Sequence, residues 1–227
     1  MLQASSQRLA VTSYAREGGI LEQTTVDSGP RSGKLISEPA DGPCRVRGFG
    51  ILNSMHFVHT HHGAAGVTRV LAQLSEKDLA IVEHIKRFAW YPFALHCRVL
   101  RAVDAALGRG DFALLYEVGK HSASRDWPRL FRPLLKLGKP GWMLDVATNV
   151  WRVFHGEGTW HLERTKYEIV ARLDDWREPD PAFCASFIGY MTAALELSGA
   201  ADIDGTHVLC AAHGAPHCLY TIRFSAR

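Results

Sequence analysis

PAFCASFIGYMTAALELSGA (residues 181–200), followed by ADIDGTHVLC (201–210) and AAHGAPHCLY (211–220), decides the fold of this chain. The first part predicts an amphipathic helix over 181–198, ended by Gly199. The second predicts a strand over 204–211, a turn through AHGAPH, and a returning strand over 218–224. This stretch also holds Cys184, Cys210 and Cys218, three of the five cysteines. With His207 they form a set of three thiols and one imidazole, the closed four-ligand composition that a structural zinc takes. His213 and His217 compete with His207 for the fourth place. A closed site leaves no position for water or substrate, which argues against metal-assisted hydrolysis.

Upstream, Thr159-Trp-His-Leu-Glu-Arg and Tyr167-Glu-Ile-Val-Ala-Arg-Leu alternate and predict two antiparallel strands with a short turn. Before Gly158 the periods are helical. Val67, Val70, Leu71 and Leu74 mark one stripe, and Leu79, Val82, Ile85 and Phe88 a second, with Ser75 and Asp78 placed as a helix-start cap. Leu95, Val99, Leu100, Val103 and Leu107 mark a third helix, entered at Pro92 and ended at Gly108. Asp111 caps a fourth, Asp126-Trp-Pro starts another short one, and a further helix places Trp151 and Phe154 on one face. The expected class is α+β, a helical N-terminal half packed on a small antiparallel sheet in strand-strand-helix-strand-strand order.

The chain has 227 residues, a formal net charge of +3 and 47% hydrophobic residues, enough for a real core. No apolar run reaches the roughly 18 to 20 residues that a membrane-spanning helix needs. No secretory pattern opens the sequence, and an odd, unevenly spaced cysteine count fits a reducing cytoplasm rather than a disulfide framework. Residues 1–47 mix Ser, Thr, Gly and Pro without apolar period and read as a poorly ordered tail, with 48–227 as one domain. His56, His59, His61 and His62 invite a metal reading, but no Cys or carboxylate joins them, so a solvent-facing strand or turn is expected. Arg125, Arg129, Arg132 and Lys136 fall on one helical stripe and read as a solvated face. The small net charge and the lack of a base-reading motif argue against nucleic acid. No phosphate loop, nucleophile elbow or His pair flanking a Glu supports an enzyme.

The spacing Cys184, His207-x-x-Cys210 and, seven residues on, Cys218 resembles the 4-vinyl-reductase-type ligand-binding domain. That domain is related in fold to the heme nitric-oxide-binding domain and is the sensory part of phenol-responsive activators. His207 stands where that family has Glu, and His is a competent ligand. From Arg45 onward, Trp90-Tyr-Pro-Phe, Leu107-Gly-Arg-Gly-Asp, Trp151 ahead of Gly156, and Gly214-Ala-Pro-His-Cys are similar to a domain-of-unknown-function family of myxobacterial paralogues.

The resemblance implies a non-enzymatic sensory or accessory domain, stabilised by zinc at Cys184, His207, Cys210 and Cys218. It would hold a small apolar molecule in a helix–sheet pocket drawn from Phe93, His96, Tyr116, His121, Trp127, Phe131, Trp142, Trp151 and Phe154. The signal would pass through a homodimer or a partner protein. A scaffolding module with a filled core is the first alternative. A heme-binding gas sensor or a tetrapyrrole-related enzyme is the second, with His155 and His121 as axial candidates. Heme is disfavoured because no Tyr-Ser-Arg propionate signature is found.

Overall fold

The computed structural model describes residues 44–130 and 151–226. The chain divides into Met1–Ala40 and Asp41–Arg227, and the described residues all belong to the second unit. The expected tail through residue 47 falls mostly outside the described residues. Its last residues do not behave as a tail: Cys44 is buried, and Arg45–Arg47 form strand β1.

The elements then run α1 (Phe49–Leu71), α2 (Glu76–Val82), β2 (Trp90–Pro92), α3 (Phe93–Leu107) and α4 (Ala113–Leu130). Residues 151–154 are helical, and β3 (Thr159–Arg164), β4 (Glu168–Asp174), α5 (Pro181–Leu197), β5 (Ala200–Leu209) and β6 (Cys218–Ala226) complete the chain. β1 and β2 pair antiparallel as a ribbon. The main sheet is antiparallel in the order β3-β4-β6-β5. The class is α+β, as the alternation and helical periods predict.

Local chemistry explains most boundaries. Ser75 accepts the amide N–H of Asp78 at 3.2 Å, opening α2. Asp111 accepts from Ala113 at 3.0 Å ahead of α4, and Asp180 accepts from Ala182 at 2.8 Å to open α5. Two boundaries differ from the sequence reading. The histidine-rich segment is not a strand or turn but the body of α1, kinked where Gly63 takes φ 64°. Asp126-Trp-Pro does not start a helix: α4 runs on through Pro128. The reason is burial of the preceding turn, where Trp127 is in the core and Asp126 accepts from the Asn53 side chain of α1 at 2.9 Å.

The core lies between the helices and one face of the sheet. β4 sends Ile169, Ala171 and Leu173 inward, the period-2 pattern of a half-buried strand. Burial of each of the two larger side chains stabilises by roughly 1.5–3 kcal/mol. Helices α4 and α5 touch backbone to backbone. A Cβ on Gly119 would lie 1.8 Å from the Ser186 carbonyl oxygen, and one on Gly189 would lie 2.0 Å from that of Tyr116. Each glycine costs its helix about 1 kcal/mol of propensity relative to alanine. The close approach is what requires them.

Gly189→Ala should therefore destabilise the fold by about 1–3 kcal/mol, because a backbone carbonyl cannot yield as a flexible side chain can. A denaturant melt checks this, and a midpoint equal to that of the unaltered protein would show that the helices separate freely.

Candidate cofactor and ligand site

A cavity of about 130 Å³ opens between α1, α4, α5 and the sheet. Of the residues expected to line a pocket, His96, Trp127, Trp151 and Phe154 do so. The sheet contributes Trp160, Leu162, Ile169 and Ala171, and α5 contributes Phe183, Phe187 and Tyr190. Sequence reasoning missed these. The alternation of β4 and the i, i+4 spacing of Phe183 and Phe187 were the available signals.

Phe93 backs the wall rather than facing the cavity, with its ring edge-on to Trp176 at 5.1 Å and Phe183 at 4.9 Å. Tyr116 is half-buried on α4, and its carbonyl meets α5 at Gly189. His121 points to α1 instead, where its Nε2 is 2.8 Å from His56 Nδ1 and its ring lies 5.6 Å from that of Phe57. Burial, with the charges of His56, His61 and Arg125 adding to it, pushes His121 down to about 4. Arg125 is turned inward too, donating to Asn53 Oδ1 at 3.2 Å and pairing with His56, so it is not part of a solvated stripe. Phe131 and Trp142, like Arg132 and Lys136, lie outside the described residues.

The cavity's distinctive chemistry is a pair of imidazoles. His96 on α3 is 5% exposed, and neither of its ring nitrogens has a protein hydrogen-bond partner. It can sit there because Gly50 of α1 has no side chain: a Cβ would lie 2.4 Å from His96 Cε1. His155 stacks on Trp151 with ring centroids 3.7 Å apart, its backbone bridges to Val46, and its ring nitrogens make no hydrogen bond of good geometry. Burial pushes His96 down to about 4. Burial, with His96 nearby, pushes His155 down to about 3. Both rings are neutral at physiological pH, the state in which an imidazole nitrogen can bind a metal.

The second cluster lies at the seam of α5 with β5 and β6. The ligand atoms of Cys184, His207, Cys210 and Cys218 all fall within 4.8 Å of one another, a set able to surround one metal ion. Of the three competing histidines, His207 is the one brought in. His217 Nδ1 instead lies 3.7 Å from Asp174, and His213 is exposed on a short 3-10 turn, Ala211–His213. The cluster also has protein partners of its own: Cys184 and Cys218 are 3.9 Å apart, and the Ala211 N–H donates to Cys218 Sγ at 3.4 Å. The His207 ring stacks on Tyr220, centroids 4.4 Å apart.

No protein-family model matches the sequence, and no curated protein matches it. Solved structures do. The Fe(II) unliganded H-NOX protein from K. algicida superposes with a TM-score of 0.61 at 16% identity, over 80% of this chain and 97% of that one. An H-NOX protein from S. oneidensis in the Fe(II)NO ligation state gives 0.60 at 15%, over 79% and 99%. An oxygen-binding H-NOX domain related to soluble guanylate cyclases gives 0.55 at 14%, over 79% and 95%. The fold is therefore H-NOX-like. None of the helices among the described residues is long and apolar enough to cross a membrane.

This likeness corrects the cofactor expected from sequence. The cysteine spacing predicts zinc, and the family resemblance a zinc-stabilised sensor with heme only as an alternative. The solved structures that share the fold include H-NOX proteins in Fe(II) and Fe(II)NO states, which points away from zinc as the cofactor. Close approach of four donors at a helix–hairpin seam does not by itself assign zinc as the functional cofactor.

Neutral burial of His96 has a thermodynamic consequence. As pH falls from 6.5, the unfolded chain takes up a proton that the folded chain refuses until about 4, so stability is lost over that window. His96→Leu should flatten the acid limb by about one proton, roughly 1.4 kcal/mol per pH unit. Urea melts across the window check this, and equal slopes in the two proteins would show that His96 is not buried neutral.

Proposed function

We propose that this domain is a non-enzymatic sensor that takes a heme-type tetrapyrrole in the helix–sheet cavity, where His155 would hold it through its imidazole. The observation that carries the reading is a pair of neutral imidazoles, His96 buried and His155 half-buried, whose ring nitrogens are shielded from solvent without a hydrogen bond of good geometry, set in an aromatic cavity of an H-NOX-like fold. When bound, such a group supplies an iron centre for a small diatomic ligand.

The chain's own residues do the rest. Burial keeps His155 deprotonated and its nitrogen lone pair available. Its backbone bridge to Val46 and the helical turn from Trp151 hold the ring at the cavity wall. His96 is the less accessible donor, since its ring is pressed onto α1 at Gly50. Trp160 and Ile169 close the sheet side, and Phe187 closes the α5 side. At about 130 Å³ the cavity is smaller than the ~300–1,000 Å³ of common ligand pockets, so a macrocycle has to displace rings, beginning with the His155–Trp151 stack. In this reading the output passes to a second copy or a partner protein.

Titration of purified protein with ferric heme tests this. A saturable Soret band is expected. His155→Ala should weaken binding by more than the roughly tenfold that loss of a supporting contact gives, with added imidazole restoring the spectrum. His96→Ala should have the smaller effect. Absence of a saturable Soret shift in the unaltered protein would overturn the assignment.

A further inference from the structure

One histidine of the histidine-rich α1 is joined to α4 through a directed chain of hydrogen bonds. His56 Nδ1 lies 2.8 Å from His121 Nε2, and the guanidinium of Arg125 reaches His56 Nε2. A guanidinium only donates, so His56 Nε2 is the acceptor and the proton of its neutral ring sits on Nδ1. That N–H therefore donates to His121 Nε2, and the His121 proton sits on Nδ1. Arg125 also donates to Asn53 Oδ1 at 3.2 Å, and Asn53 Nδ2 donates to Asp126 Oδ1 at 2.9 Å, at the cavity wall. The two helices share one chain of bonds with one possible direction.

That chain exists only while both rings are neutral. A proton on His121 Nε2 sets two N–H groups against each other, and Arg125 stops His56 from moving its own proton to Nε2. The charges that act on His121 are those of His56, His61 and Arg125, while Glu117, one turn earlier on α4, is exposed. Thr60 Oγ1, 3.2 Å from His56 Nδ1, offers that N–H an acceptor within α1 once His121 is lost. Between the buried Val58 and Gly66, residues 59–65 are all exposed, and Gly63 interrupts the helix at φ 64°. The His61 ring, 5.5 Å from that of His121, is the further contact of this segment with α4 among the described ring pairs.

We propose that His56, His121 and Arg125 form a proton-operated latch between α1 and α4, closed while both imidazoles are neutral and released, with the histidine-rich residues 59–65, when the pair takes up a proton. Its route to the cavity is α1 itself, which supplies Phe49, Gly50 and Ser54 to the lining. The latch does not depend on which ligand the cavity holds. The closed state keeps His121 neutral down to about 4, whereas a freed imidazole titrates near its ordinary value of 6.5. Release is therefore favoured as pH falls through that window and is not favoured above it.

Two measurements on the full chain test this. In NMR of protein labelled with heavy nitrogen in histidine, a coupling across the hydrogen bond should join His56 Nδ1 to His121 Nε2 at neutral pH. The two rings should then titrate together, below His59. In hydrogen exchange, corrected for its intrinsic pH dependence, protection of the amides of residues 59–65 should fall roughly tenfold relative to α5 between about pH 7 and about pH 5, the factor carried by one unit of pKa difference. His121→Gln leaves an acceptor for the His56 N–H and nothing to protonate, so it should keep the protection and lose its pH dependence. His121→Ala should show the low protection already at neutral pH. Separate titration of the two rings near the value of His59 in the unaltered protein overturns the latch, and so does a pH dependence kept in full by His121→Gln.

Discussion

Contact between the bare backbones of α4 and α5 is the constraint on which the rest of the structure depends. Gly119 and Gly189 each face a carbonyl oxygen of the opposite helix at a distance that no Cβ could occupy. With those two helices seated so closely, Phe183 and Phe187 of α5 turn toward the cavity while Cys184 turns toward Cys218 on the sheet. One helix thus serves three boundaries: a small-residue seam with α4, an aromatic wall, and a thiol cluster. Widening the seam would move all three together.

The cavity is stabilised unusually. Burying an imidazole nitrogen without a partner costs free energy, and burying the charged form costs more, so both histidines resolve the conflict by staying neutral. Gly50 makes room for one ring, and the face of Trp151 supports the other. Apolar burial around them offsets the cost: Ile169, Leu173 and Ile222 of the sheet are all within 1% of full burial. Two neutral imidazoles set among aromatic rings form a cluster whose cost is met by its surroundings.

Much of the architecture was legible because it derives from short-range chemistry. Ser75 and Asp111 accept from the first turns of their helices through their own side chains, and the alternation in β4 reports one wet face and one dry face. The histidine-rich part of α1 was not legible. Four histidines and Gly63 mask its period, and the helix is continued by packing of Phe57 and Val58 into the core. The continuation of α4 past Asp126 was hidden for a like reason, since the Asn53–Asp126 hydrogen bond joins residues 73 positions apart. His121 lies on a helix that the sequence does predict. Its azimuth, facing His56 rather than the cavity, is set by how α1 crosses α4.

The sequence by itself determined the class, the order of strands around α5, and the set of cysteines with one histidine that would meet at its seam. Those features depend on local periods and on spacings that a single hairpin closes. Tertiary structure alone decided which histidine joins the thiols, which aromatic rings face the cavity, and that His96 and His155 share it. These are questions of helix rotation and layer spacing, fixed by contacts such as Gly50 against His96 and Gly189 against Tyr116. The zinc reading shows the same division: donor spacing can be counted along a chain, but the chemistry of a cavity is the joint property of walls drawn from α1, α3, α4, α5 and the sheet.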